Sequence, residues 1–139
     1  MEAKRLVGSG TKILAGAMAG GDRDYLNQLY AAGMRGHDGV SIHPYSWGNP
    51  ARRDSPYQVG TELVHKAMLK HGDRSGLYVT EFGFASCPAT PTCVSDRIQA
   101  RWLAASFRVA RGWRYVRGLT AFTVRDVGSS NFGTTTWAC

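Results

Sequence analysis

The sequence predicts an α/β fold in which four strand–helix units form half of a (β/α)8 barrel. Apolar and amphipathic segments alternate four times along 139 residues, a pattern typical of a parallel sheet with right-handed crossovers. A complete barrel needs about 250 residues, so the length fits half of one. A nucleotide-binding open sheet is the alternative, but the glycine-rich segment 16–22 matches neither GxGxxG nor the P-loop pattern. We therefore expect a single half-barrel domain over residues 1–139.

The strands are predicted from short apolar runs bounded by glycine, proline or polar residues. They are expected at Thr11–Ala17, Gly39–His43, Gly76–Phe82 and Val116–Val124. An irregular tail is expected from Arg125 to Cys139.

The helices are predicted from apolar spacing and from residues that favour helix ends. The first follows Asp22 as N-cap, has Leu26, Leu29 and Tyr30 on one face, and ends at Gly33. The second covers about Tyr57 to Leu69, with Val59, Leu63 and Ala67 on one face and Gly72 beyond its end. The third starts after Ser95 as its cap and runs to about Arg111, with Ile98, Trp102 and Val109 on a stripe.

Composition excludes several classes of protein. The chain is 43% hydrophobic, which is enough for a packed core and argues against disorder. No apolar run approaches the roughly 18 residues of a membrane span, and no signal peptide follows Met1. We therefore expect no membrane partner.

The basic charge raises the question of whether the chain binds nucleic acid. There are 17 Lys and Arg residues against 10 Asp and Glu, a net charge of +7. Arg97, Arg101, Arg108 and Arg111 recur at helical spacing, with Trp102 between them, and such mixtures occur in nucleic-acid binders. No recognised nucleic-acid motif is present, so we interpret these arginines as the solvated face of an outer helix and do not expect nucleic acid as a partner.

The three cysteines leave at least one thiol unpaired. Cys87 and Cys93 bracket a proline-containing loop, and we expect a local disulfide between them, as in a protein derived from a secreted ancestor. A zinc site is less favoured, because this spacing lacks a second ligand pair. The compartment itself stays open.

Candidate functional residues lie where the predicted strands end, because barrel active sites form at the carboxyl ends of the strands. The second strand leads to His43, Tyr45 and Trp47, the third ends with Glu81, and the fourth leads to Asp126. A carboxylate, an imidazole, a phenol and an indole on one rim are typical of a sugar site. The pattern predicts a carbohydrate substrate and requires neither a metal nor an organic cofactor.

Several segments together resemble the second half of a clan A glycoside hydrolase, a retaining (β/α)8 enzyme related to cellulases and β-xylosidases. The segments are ILAGAMAGGDRDYLNQLYAAG, DGVSIHPY, LYVTEFGF and GLTAFTVRD, similar to strands five to eight, with TEFG and HPY the most specific. The resemblance implies that Glu81 is the nucleophile that forms a glycosyl-enzyme. It also implies that His43 and Tyr45 hold the nucleophile and contact sugar. From their positions after the strand ends, Trp47 is expected either to stack on sugar or to cap hydrophobic surface, and Asp126 either to bind substrate or to pair with Arg125 at the surface.

The sequence departs from this family in two ways. The family's acid/base glutamate belongs to the other half, and no NEP segment occurs here. The aromatic pair common on the eighth strand is replaced by Ala121 and Phe122. A non-catalytic carbohydrate-binding or scaffold half-barrel is therefore the alternative to a glycosidase.

Four parallel strands cannot close a barrel, so a single chain is expected to leave two edge strands and a half-open apolar face. We therefore expect a homo-oligomer, in which two copies complete one barrel.

The remaining polar and aromatic residues have structural interpretations. Asp38 begins its strand, on the face of a barrel that serves stability, and His65 and His71 are expected to be solvated. Trp102 and Trp113 are interpreted as core residues.

Overall fold

The computed structural model describes residues 2–8, 10–86 and 93–123. Its elements, in chain order, are α1 (Glu2–Val7), β1 (Leu14–Ala19), α2 (Arg23–Ala31), β2 (Gly39–His43), α3 (Pro56–Lys70), β3 (Gly76–Phe82), α4 (Asp96–Ala110) and β4 (Val116–Ala121). The strands form one sheet in the order β1-β2-β3-β4, and every neighbouring pair is parallel. The predicted α/β half-barrel is therefore confirmed. No helix in the described ranges is long and apolar enough to cross a membrane.

Strands β2 and β3 have the predicted bounds, whereas β1 does not. It starts at Leu14 instead of Thr11, because the backbone NH of Ile13 donates to the carboxylate of Asp38 (2.7 Å) and not to a strand. It continues to Ala19 after a bulge at Ala17, which has a φ of 65°. The last strand ends at Ala121, and Val124 lies outside the described residues.

Helix α1 was not predicted, and it is held to the strand starts by charge. Lys4 Nζ lies 2.6 Å from an oxygen of Asp38, and that carboxylate also holds Ile13. Lys4 and the Ile13 amide lower the pKa of Asp38, in that order. Asp38 thus has the structural role expected from its position.

The hydrophobic core lies between the sheet and the helices. Val40, Ile42, Leu77, Val79 and Phe82 of the sheet are at most 1% exposed. The predicted apolar face of α3 is correct at Ala67, which is buried, and wrong at Val59, which is 40% exposed. The residues that the helix buries are Tyr57, Gln58, Thr61, Val64, Ala67 and Met68. The predicted apolar stripe missed this buried face because several of the buried residues are polar or aromatic.

The helix caps agree in part with the sequence. Asp22 caps α2 by accepting hydrogen bonds from the amides of Asp24 and Tyr25. Gly33, just beyond that helix, has a φ of +89°, which favours glycine. Ser95 stands at the N-cap position of α4 but its side chain makes no capping hydrogen bond.

The face of the sheet away from the helices is made of small and polar residues. The strand registers place Gly16, Ser41, Tyr78 and Gly118 side by side across the sheet. The Tyr78 ring lies over the neighbouring glycines, since a Cβ built on Gly39 would be 2.4 Å from a ring carbon. The expected exposed apolar face is therefore wrong for the described residues.

A buried polar cluster joins the loops at the opposite end of the strands from Glu81. One carboxylate oxygen of Asp73 accepts from Tyr30 Oη (2.5 Å) and lies 2.7 Å from His37 Nε2. The other oxygen accepts from the amide of Ser75 (2.8 Å). The cluster ties the α2–β2 loop to the α3–β3 loop.

Candidate active site

Glu81 is directed toward the mouth of the half-barrel by a bulge near the end of β3. Three residue steps on β3, from Val79 to Phe82, match two steps on β4, from Leu119 to Ala121. Val79 and Phe82 therefore both face the core, and the extra residue places both Thr80 and Glu81 on the opposite side. Bulges commonly re-aim a side chain beside an active site.

The aromatic packing of Phe82 holds this arrangement. Its ring is 1% exposed and lies 5.9 Å from the Tyr57 ring and 5.4 Å from the Phe107 ring, between centroids. The carbonyl of Phe82 accepts a 2.8 Å hydrogen bond from the amide of Phe122. The residue after Glu81 is thus anchored by both side chain and backbone.

Tyr45 lies two residues beyond the end of β2 and contacts Glu81. Its hydroxyl donates to Glu81 Oε2 at 2.8 Å. Burial raises the pKa of the phenol well above its ordinary value, and the hydrogen bond to the carboxylate raises it further. The phenol therefore remains protonated at neutral pH and serves as a donor.

The turn that presents Tyr45 is rigid. The carbonyl of His43 accepts from the amides of Gly20 (2.9 Å) and Tyr45 (2.8 Å). Pro44 between them is fully buried, and its ring fixes the backbone φ. The HPY segment thus ends β2 and points the phenol toward β3.

His43 connects the carboxylate to residues that the sequence analysis did not select. Its Nδ1 lies 3.6 Å from Glu81 Oε2, and its Nε2 lies 3.0 Å from Thr80 Oγ1. Thr80 Oγ1 in turn lies 2.5 Å from Ser41 Oγ. The alternation of side chains along β2 and β3 places Ser41, His43 and Thr80 on one face of the sheet. This alternation was the sequence signal from which Ser41 and Thr80 could have been selected.

The structure brings together three of the five sequence-predicted site residues, which are His43, Tyr45 and Glu81. Trp47 follows on the β2–α3 loop and is 61% exposed. Asp126 lies outside the described residues. So do Cys87 and Cys139, and the disulfide between Cys87 and Cys93 stays a prediction.

The two histidines that were expected to be solvated differ in exposure. His65 is half-buried and stacks on the Tyr115 ring, 3.7 Å between centroids, and burial lowers its pKa. His71 is exposed but stacks on Tyr30 and forms a 2.8 Å hydrogen bond with Asn27. The expected exposure is therefore confirmed for His71 and wrong for His65.

Trp102 and Trp113 are half-buried rather than fully buried. Both pack against the hydrophobic core, with Trp102 edge-on to Phe84 and Trp113 beside Tyr57. Their predicted structural role is consistent with these contacts.

The arrangement can support chemistry at a carboxylate. Glu81 is 38% exposed on its side chain, so one ligand atom can approach it while Tyr45 holds Oε2. The hydrogen bond from Tyr45 to Oε2 leaves the other oxygen available to a reacting carbon. Within the described part of the chain, neither Glu81 nor His43 pairs with a second carboxylate.

Comparison with solved structures shows which proteins share this fold. A β-glucuronidase from Ruminococcus gnavus in complex with D-glucuronic acid has a TM-score of 0.57 and 20% identity, over 94% of this chain and 24% of that protein. An endo-β-1,3-glucanase of family GH128 from Amycolatopsis mediterranei has a TM-score of 0.56 and 20% identity, over 84% of this chain and 49% of that one. No protein-family model and no curated protein sequence matches the chain.

These likenesses concern the fold. The chain spans about a quarter of the glucuronidase and about half of the glucanase. The parallel sheet with alternating helices is a half-barrel that resembles part of these glycoside hydrolases.

Proposed function

We propose that the chain is the nucleophile-bearing half of a retaining glycosidase, with Glu81 as the nucleophile. The observation that supports this most is the 2.8 Å hydrogen bond from Tyr45 to Glu81 at the carboxyl ends of β2 and β3. Active sites of (β/α)8 enzymes lie at this edge. The two glycoside hydrolases of similar fold add support at the level of fold.

In the proposed reaction, the free oxygen of Glu81 attacks the anomeric carbon and forms a glycosyl ester. The bond from that carbon to the leaving oxygen breaks, and a second carboxyl gives its proton to the leaving oxygen. Water then attacks the same carbon, gives a proton to the second carboxylate and releases Glu81. Tyr45 keeps one carboxylate oxygen hydrogen-bonded and directs the other toward the sugar.

Substrate binding is assigned to the surrounding rim. His43 contacts the sugar beside Glu81, the exposed Trp47 indole stacks on a sugar ring, and Asp126 accepts from sugar hydroxyls. No metal or organic cofactor is needed for this chemistry.

A second copy of the chain is proposed to complete the barrel. In the described sheet, β1 and β4 are the outer strands, and pairing β4 of one copy with β1 of another would complete a barrel of eight parallel strands. Strand pairing would drive this assembly, since the inner face is polar. A monomeric mass from light scattering at micromolar concentration would rule it out.

A non-catalytic carbohydrate-binding half-barrel is the second candidate. It is favoured by the lack of a second carboxylate partner for Glu81 among the described residues. Binding of an oligosaccharide without hydrolysis of any aryl glycoside would support it over the glycosidase.

The test compares wild type, Glu81→Gln and Glu62→Gln on aryl glucosides, glucuronides and xylosides. The amide introduced by Glu81→Gln is nearly isosteric with the carboxylate but cannot form a glycosyl ester, so turnover should fall at least a thousandfold. Glu62 is exposed on α3, and its variant should match wild type. Activity of the first variant within tenfold of wild type would remove Glu81 as nucleophile.

A further inference from the structure

A groove on the outside of the half-barrel lies between α4 and the β2–α3 loop. Its volume is about 390 Å³, within the range of ligand sites. Helix α4 provides Ile98, Arg101, Trp102, Ala105 and Arg108, and the loop provides Asn49 and Ala51. The same loop carries Trp47, two positions before Asn49.

Two guanidinium groups line the groove without an ion-pair partner among the described residues. Arg101 and Arg108 are exposed, and no ion pair in the described part of the chain includes either of them. They are seven positions apart on α4, which corresponds to about 10 Å along the helix axis. An arginine fork pairs with a carboxylate through two parallel hydrogen bonds. The spacing suits a chain with carboxylates at intervals.

The other walls of the groove suit a sugar. Trp102 is half-buried, with its ring 5.2 Å from that of Phe84 between centroids, so it offers a fixed apolar surface. The side-chain oxygen of Asn49 accepts from the amide of Ala51 (3.0 Å), and its NH₂ donates to no described residue. An aromatic wall with a free amide donor matches a ring bearing hydroxyl groups.

The loop wall is preorganised. The carbonyl of Pro50 accepts from Gln58 Nε2 (2.8 Å) and from Ser55 Oγ (3.4 Å), both at the start of α3. Pro50 itself is fully buried. The groove therefore needs little ordering to bind a ligand.

We propose that this groove binds a carboxylated polysaccharide, a uronic-acid polymer. The choice of a sugar chain over a nucleic acid rests on the proposed function. The negative charge assigned to the ligand rests on the two arginines. The net charge of +7 adds long-range attraction for such a polyanion.

Affinity electrophoresis with polygalacturonate tests this, with a neutral β-1,3-glucan and single-stranded oligo(dT) as comparisons. Arg101→Gln/Arg108→Gln should weaken polygalacturonate binding about tenfold, as expected for two exposed charge pairs. Arg111→Gln/Arg114→Gln removes the same charge outside the groove and should change binding less than twofold. The groove variant should leave binding of the neutral glucan unchanged.

Equal weakening by both double variants would overturn the proposal, because it would show attraction by net charge alone. Unchanged polygalacturonate binding in the groove variant would also overturn the proposal. So would oligo(dT) binding that is tighter than polygalacturonate binding and is weakened equally by the groove variant. Running the assay also on Glu81→Gln separates the two proposals. Loss of catalysis with retained groove-dependent binding supports both, and absence of binding in an active enzyme refutes the groove alone.

Discussion

Asp73 gives a prediction whose size follows from its contacts. The carboxylate is 11% exposed on its side chain and pairs with His37, which is 9% exposed. Burial raises the pKa of Asp73, but hydrogen bonds from Tyr30, His37 and Ser75 outweigh burial and lower the pKa to about 2. The charged carboxylate is therefore stabilised in the folded chain.

The change from the ordinary value of 3.8 to about 2 corresponds to about 2 kcal/mol of folding free energy at neutral pH. Because the folded-state pKa is depressed, this contribution is complete above about pH 5 and is lost as the pH falls toward 2. Asp73→Asn keeps the shape and removes the charge. It should lower the free energy of unfolding by about 2 kcal/mol at pH 7 and by about half of that at pH 3.

Urea denaturation of wild type and Asp73→Asn at pH 7 and pH 3 measures both values. Asp54→Asn is the matched control, because Asp54 is exposed and pairs with Arg52 at the surface, and it should cause no resolvable change. A loss that is the same at both pH values would refute the electrostatic explanation. A loss as small as that of the control would show that the cluster does not brace the loops.

Three further outcomes are expected. Tyr45→Phe should lower kcat about tenfold, since one hydrogen bond to a charged group is removed. An unchanged kcat would show that Tyr45 only packs in the structure. Gly39→Ala should cost about 1–3 kcal/mol in urea denaturation, because the new Cβ would lie 2.4 Å from the tyrosine ring on β3, whereas Gly10→Ala meets nothing within 4 Å and should be neutral. Cys87 and Cys93 should resist alkylation under native conditions without reductant; two freely reacting thiols would reject the disulfide.

The fold was predictable because its signals are local. Strands β2 and β3 begin at glycine, β2 is closed by Pro44, and their buried aliphatic residues alternate, as Val40 with Ile42 and Leu77 with Val79. The position of Glu81 at a strand end follows from the same pattern. The boundary of β1 was missed because it depends on Asp38, 25 positions away from Ile13.

The direction in which the site side chains point was not predictable from the alternation of side chains along the strands alone. A regular β3 would place Glu81 on the core side, beside Val79, and only the bulge opposite β4 reverses this. Likewise, the pairing of Asp73 with Tyr30 and His37 joins residues 36 to 43 positions apart. Such contacts depend on tertiary packing, which periodicity does not encode.

The central claim is that Glu81 attacks the anomeric carbon of a sugar. It is tested most directly with dinitrophenyl 2-deoxy-2-fluoroglycosides, whose activated leaving group needs no proton from a second carboxyl. We predict a mass increase of one fluoroglycosyl group per chain, located by peptide mapping on Glu81 and absent in Glu81→Gln. An adduct on another residue, or no adduct from the glucoside, glucuronide and xyloside alike, would contradict it.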